Sequence, residues 1–182
     1  MANDEWRNCY SLFIVSFFIV HCIVLVIGID PGTAITGYGL VREEAGELEC
    51  VAFGVVTTPA GQPLPNRLQT IYHELKKIIT LHRPESGAVE KLFFQKNLTT
   101  AITVGQGRGV SMLALAECGL SVSEYTPMQV KQAVSGYGGA DKKQMQEMVR
   151  VLLNLDAIPK PDDAADALAV AICHLYSTKW NT

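Results

Sequence analysis

The chain has 182 residues, 48% of them hydrophobic and 18% charged, which is enough to bury one core and falls within the usual range for a single domain. No segment repeats at a fixed period and no Pro-, Ser- or Gln-rich run marks a linker, so a repeat array is excluded. The net charge of −3 argues weakly against nucleic acid as a partner, although residues 91–150 carry seven basic against four acidic side chains and leave the negative excess elsewhere.

From Tyr10 to Ile29 the chain is almost wholly apolar, and about twenty such residues would span a bilayer. Its last third, Ile23 to Asp30, is also needed as the first core strand, and a segment cannot lie in lipid and pair in a sheet at once. About fourteen residues then remain, too few to cross. A secretory signal fits poorly, because Asp4 and Glu5 outweigh Arg7 and no small-x-small site precedes the strand. Residues 1–22 therefore read as an appended or mis-started extension before a domain spanning 23–182, with membrane association through residues 10–22 as the alternative. Cys9, Cys22, Cys50, Cys118 and Cys173 are odd in number and scattered, which points to reduced thiols in the cytoplasm rather than a zinc cage.

Three short apolar runs follow with glycine breaks, Ile23 to Asp30, Thr36 to Arg42 and Leu48 to Thr58, and predict an antiparallel meander. Leu68, Ile71, Leu75 and Ile78 recur at helical spacing until Pro84. Ser86 to Glu90 reads as a short buried strand, Thr99 to Cys118 as a helix, and Val122 to Tyr125 as a fifth strand. Pro127 opens a short helix, Asp141 to Asn154 makes another, and an alanine-rich helix runs from Asp162 through His174. Strands alternating with helices after a meander predict an α/β fold, a mixed five-stranded sheet flanked by helices.

Four acids stand out on this layout. Asp30 and Glu90 end apolar strands, while Asp163 and Asp166 are spaced i, i+3 on one helix face. Each has a plain structural explanation: a turn former for Asp30, a solvated strand end for Glu90, a partner of the helix dipole for Asp163. Asp166 is harder to explain so, since it interrupts an apolar alanine face. Asp162 reads as a helix N-cap rather than as a ligand.

Five ordered stretches carry a resemblance: Gly28 to Gly39 (GIDPGTAITGYG), Val89 to Asn97 (VEKLFFQKN), Gly105 to Gly109 (GQGRG), Val130 to Gly138 (VKQAVSGYG) and Asp163 to Ala169 (DAADALA). In order and spacing they resemble the RuvC family of Holliday-junction resolvases. The resemblance implies an RNase H-like α/β domain in which Asp30, Glu90, Asp163 and Asp166 bind two Mg²⁺ ions, with Mn²⁺ able to substitute. It also implies Phe93 as an aromatic wedge at the opened junction, with its neighbour Phe94 as the rival, and Lys96, Arg108, Lys131, Lys142 and Lys143 as contacts to the DNA backbone. A homodimer on four-way junction DNA and the RuvA–RuvB branch-migration proteins are the implied partners, in recombination and repair. The helix bearing Met112, Leu113 and Leu115 offers either a dimer interface or plain core. Overall acidity and the N-terminal extension depart from the family pattern. Competing readings are an RNase H-like nuclease acting on RNA or other branched DNA, an actin-like ATPase or sugar-kinase fragment suggested by Ile29-Asp-Pro-Gly-Thr33, and a membrane-tethered binding module.

Overall fold

The computed structural model describes residues 23–91 and 98–179. The extension at 1–22 and the stretch holding Phe93, Phe94 and Lys96 lie outside them. Three strands open the domain, β1 (Val24–Asp30), β2 (Ile35–Glu44) and β3 (Glu47–Thr57), followed by α1 (Leu64–His82) and β4 (Ser86–Glu90). Then come α2 (Leu98–Glu117), β5 (Ser121–Tyr125), α3 (Pro127–Ser135), α4 (Lys142–Leu152) and α5 (Asp162–Lys179). The strands form one sheet in the order β3-β2-β1-β4-β5. Its first half is an antiparallel meander, whereas β4 runs parallel to β1 and β5 parallel to β4. The mixed five-stranded sheet anticipated from the sequence is therefore present.

Local chemistry accounts for the element ends. Ala45 and Gly46 both take positive φ, 54° and 92°, as a tight turn between twisted antiparallel strands requires. α1 stops where Arg83 turns left-handed at φ 51°, just before Pro84, which disfavours a helical predecessor. Thr126 with Gln129 and Asp141 with Gln144 form capping boxes at the starts of α3 and α4, satisfying backbone N–H groups that the helices leave free. On α1 the fully buried stripe is Ile71, Leu75 and Ile79. Ile78, expected there, packs from its flank, because successive i, i+4 positions hold a single face toward α2.

Two apolar layers sandwich the sheet. Ile27, Ile29, Leu40 and Val89 pack with Ile71, Leu75 and Leu115 from α1 and α2, while Val26, Val41 and Ala88 pack with α3, α4 and α5. α5 lies unusually low on β1 and β2. Its buried residues include Ala164, Ala165, Ala167, Ala169 and Ala171, and the strands below present bare glycine. A Cβ at Gly28 would strike the Ala167 carbonyl and Ala171 amide, and one at Gly37 would strike the Asp163 carbonyl. Backbone touches backbone, so this contact has no flexible side chain to absorb error.

Candidate active site

The sheet register brings the four acids to one end of the molecule. β1 and β4 are adjacent and parallel with Ile29 opposite Val89, which sets Asp30 and Glu90 side by side at the carboxyl ends of their strands, where α/β folds commonly place ligands. Side chains alternate along a strand. Since Val26 and Ala88 face the α5 layer while Ile29 and Val89 face α1 and α2, Asp30 and Glu90 share the α5 face. On the other side Asp30 pairs with Gly37, above which Asp163 rests its carbonyl, and Asp166 follows one turn later on α5. The loop after Asp30 is tied down: the Thr36 hydroxyl donates to the Gly32 carbonyl at 2.5 Å and the Thr58 hydroxyl to the Thr33 carbonyl at 2.5 Å, while Arg67 Nε donates to Thr58 Oγ1 at 2.8 Å.

The acids feel one another strongly. Burial, then the charges of Glu90, Asp166 and Asp163, push the Asp30 carboxyl from 3.8 up to about 7. Burial and the Asp166 charge likewise push Glu90 from 4.5 to about 7, partly opposed by Lys131. Asp166 is raised by burial despite Lys142, whose ammonium lies 3.4 Å from it and 3.2 Å from Asp162. Glu90, Lys131, Lys142 and Asp166 line a cleft of about 210 Å³, floored by apolar atoms of Val130, Met145 and Ala169. Among the described residues no group of three or more His, Cys, Asp or Glu side chains stands close enough to hold a metal ion as placed; the acids act on one another through their charges. An all-carboxylate set whose members hold each other's pKa values up fits a hard divalent cation, which prefers oxygen donors and would offset the shared charge.

The basic residues separate into distinct settings. Lys131 and Lys142 border the cleft. Lys143 is exposed on α4, and its charge reaches Glu147. Arg108 is turned inward, its Nε donating to the Glu90 carbonyl at 3.3 Å and its terminal nitrogen pairing with Glu124. Asp162 differs from its sequence reading. α5 begins at Asp162 itself, and the carboxylate goes to Lys160 and Lys142, each at 3.2 Å, instead of to a backbone N–H. Those two lysines and Gln146 pull it down to about 2. On α2, Leu115 is core, whereas Leu113 is 50% exposed.

One residue was not singled out from the sequence for any role. His174 is buried, with Nε2 2.8 Å from Ser86 Oγ and Nδ1 3.0 Å from the Tyr125 hydroxyl; burial lowers its pKa, so the neutral ring serves both hydroxyls. It fastens the far half of α5 to β4 and β5, and with that the height of Asp163 and Asp166 above the sheet. Its signal was a single imidazole within an otherwise apolar helical run.

A mixed sheet in this order, covered by an alanine-rich helix on the face where two parallel strands end in acids, is the RNase H-like class of α/β fold. The family model described as "Crossover junction endodeoxyribonuclease RuvC" matches residues 26–174, and the chain belongs to that family, whose members are hydrolases. A relative of that name from Chloroflexus aurantiacus is 60% identical over 151 residues, covering 83% of this chain and 92% of that one. The Thermus thermophilus RuvC structure superposes with a TM-score of 0.80 at 36% identity, covering 87% of this chain and 98% of that one. A second structure, T. thermophilus RuvC in complex with Holliday junction substrate, gives 0.80 at 34% identity with the same coverage. Family membership across the domain replaces the actin-like reading of Ile29 to Thr33 with a nuclease. Among the described residues no helix is long and apolar enough to cross a membrane.

Proposed function

We propose that the chain resolves four-way DNA junctions by paired symmetric nicks, hydrolysing phosphodiester bonds to leave 5′-phosphate and 3′-hydroxyl ends in homologous recombination and repair. The observation that carries this reading is the meeting of Asp30, Glu90 and Asp166 within mutual electrostatic reach, with Asp163 acting on Asp30 as well, beside a cleft lined by Lys131 and Lys142. The relative solved with Holliday junction substrate shares the fold over nearly the whole domain, which supports the same substrate here.

Asp30, Glu90, Asp163 and Asp166 would hold the divalent cations, two Mg²⁺ or in their place Mn²⁺, and these when bound supply an activated water and charge relief at the departing oxygen. The rest falls to the protein. Two strand ends and one helix face are rigid platforms, so the carboxylates keep their spacing without reorganisation. Lys131 and Lys142 set positive charge against a phosphate entering the cleft, offsetting the repulsion that four acids exert on it. Lys96 and Lys143 extend the backbone contact, and Phe93 stacks at the opened branch point, where a base on an aromatic ring contributes about 1–3 kcal/mol.

A junction offers two equivalent strands, and a two-fold homodimer presents two sites related as those strands are. The protein works in the cytoplasm as such a dimer, with RuvA–RuvB-type branch-migration proteins as partners, and the domain from Ile23 onward suffices for cutting. The test is a synthetic mobile junction with and without Mg²⁺. The chain starting at Ile23 cuts it into nicked duplexes, while Asp30→Asn, Glu90→Gln and Asp166→Asn each abolish cutting and retain binding. Variants that still cut at wild-type rate defeat the assignment.

A further inference from the structure

Arg108 belongs to the basic residues that a family resemblance assigns to DNA, yet its Nε and one terminal nitrogen are engaged by groups of the protein itself. Its side chain is only 21% exposed, and its partner Glu124 32%. The guanidinium spans two elements at once, giving Nε to the main-chain carbonyl of Glu90 at 3.3 Å and a terminal nitrogen to the Glu124 carboxylate on β5. Glu124 lies opposite Val89 in the parallel ladder, and Glu90 opposite Tyr125. The bracket therefore closes on the last two residues of β4, one of them the proposed ligand. Beyond Glu90, among the described residues, the ladder adds one bond, from the Lys91 amide to the Tyr125 carbonyl at 2.7 Å.

We infer that Arg108, held by Glu124, is a positioning residue for Glu90 rather than a DNA contact. Paired with Glu124, the guanidinium brings little net charge to the protein's outer field. What it adds is geometry: a planar fork can bond a carbonyl and a carboxylate in fixed relative directions, and a lysine ammonium cannot reproduce that fork. By seizing the carbonyl of the strand's terminal residue, it fixes the peptide from which the Glu90 side chain departs. α2, which carries Arg108, is thereby tied to the site although it contributes none of the four acids. The inference rests on the proposed role of Glu90, and two positions outside the acidic quartet test it.

The experiment compares the wild-type chain, Asp30→Asn, Arg108→Ala, Arg108→Lys and Glu124→Gln on one synthetic four-way junction. Cleavage is followed as a function of Mg²⁺, and binding without divalent cation as a function of salt, with thermal unfolding of each variant as the check on folding. A positioning role lowers the cleavage rate at least tenfold in all three new variants, and by about 10²-fold where the carboxylate moves by ~1 Å. It raises the Mg²⁺ concentration for half-maximal cutting and leaves junction affinity and its salt slope at wild-type values. A phosphate contact gives the opposite pattern: the slope of log affinity against log salt falls by about 0.9 in Arg108→Ala, Arg108→Lys keeps cutting, and Glu124→Gln binds more tightly. That pattern overturns the inference, as does wild-type cutting by Glu124→Gln, the isosteric change least able to disturb packing. A wild-type chain that fails to cut defeats the proposed function itself, whereas cutting that only Asp30→Asn abolishes leaves that function standing and removes the role given to Arg108.

Discussion

Asp30 is held in an environment that opposes its charge, and neutralising it should make the metal-free protein more stable while destroying its activity. The carboxyl moves from 3.8 to about 7 on folding. Between those values the folded chain keeps a proton that the unfolded chain has lost, so stability falls with rising pH by about 1.4 kcal/mol per pH unit and levels off above about 7. The full excursion is worth about 4 kcal/mol as an upper bound, part of it due to the neighbouring charge of Glu90. Asp30→Asn removes that opposition, and at pH 8 a gain of about 3 kcal/mol corresponds to a melting temperature raised by roughly 6–12 °C for a domain of this size. The wild type recovers the contribution fully only well below pH 3.8, and by pH 5 about two of roughly three pH units have returned, so the gap between the two proteins narrows to about half or a little less. Melting both proteins in EDTA from pH 5 to pH 8.5 reads Asp30 together with its coupling to Glu90, Asp163 and Asp166, because the remaining titrating groups are shared. Adding Mg²⁺ at pH 8 should raise the wild type by about 2.7 kcal/mol when the ion stands at a hundred times its dissociation constant and the variant by much less. A variant that melts below the wild type at pH 8, or a gap that does not change with pH, would refute the electrostatic account of the site.

Gly37→Ala aims a methyl group at the Asp163 carbonyl; urea unfolding should show a loss of about 1–3 kcal/mol, the range for overpacked interiors, and unchanged stability would mean that α5 does not rest on β2. His174→Ala strips the half-buried hydroxyls of Ser86 and Tyr125 of their shared partner, at about 1–3 kcal/mol for each hydroxyl left without a bond, and should slow cutting as α5 lifts; a variant as stable as wild type would show that water serves both hydroxyls equally well. Phe93→Ala should lower junction cleavage far more than Phe94→Ala, with the reverse ranking assigning the wedge to Phe94.

Much of this fold was legible because period and punctuation agree along the chain. Apolar runs broken by Pro31-Gly32 and Gly46 gave the meander, and Pro127 and Asp141 marked helix starts that the structure caps as their chemistry demands. What pattern could not supply was direction in space. Whether Asp30 and Glu90 face the same side depends on the register of β1 against β4, a long-range fact with no local signature. Arg108 shows the same limit from the other side. Charge alone marks an arginine as a candidate for phosphate, and only the fold reveals a carboxylate from β5 and a carbonyl from β4 already waiting for it. Asp162 failed for a similar reason, since Lys142 arrives from a different helix.

The placement of α5 explains why the chain spends glycine and alanine where most domains use larger residues. An acid pair must stand within a few ångströms of two strand ends, and a helix packed through ordinary side chains would ride about 10 Å above the sheet, the usual spacing of stacked layers. Gly28 and Gly37 beneath, with Ala164, Ala167 and Ala171 above, remove that standoff and let main chain meet main chain. Such a contact gains little from any one side chain, so its stability is spread over the whole helix and secured at the far end by the His174 hydrogen bonds. The placement of Asp163 and Asp166 is then set by backbone contact rather than by rotamer choice, which allows carboxylates that repel one another to be held together with Lys142 as their counter-charge.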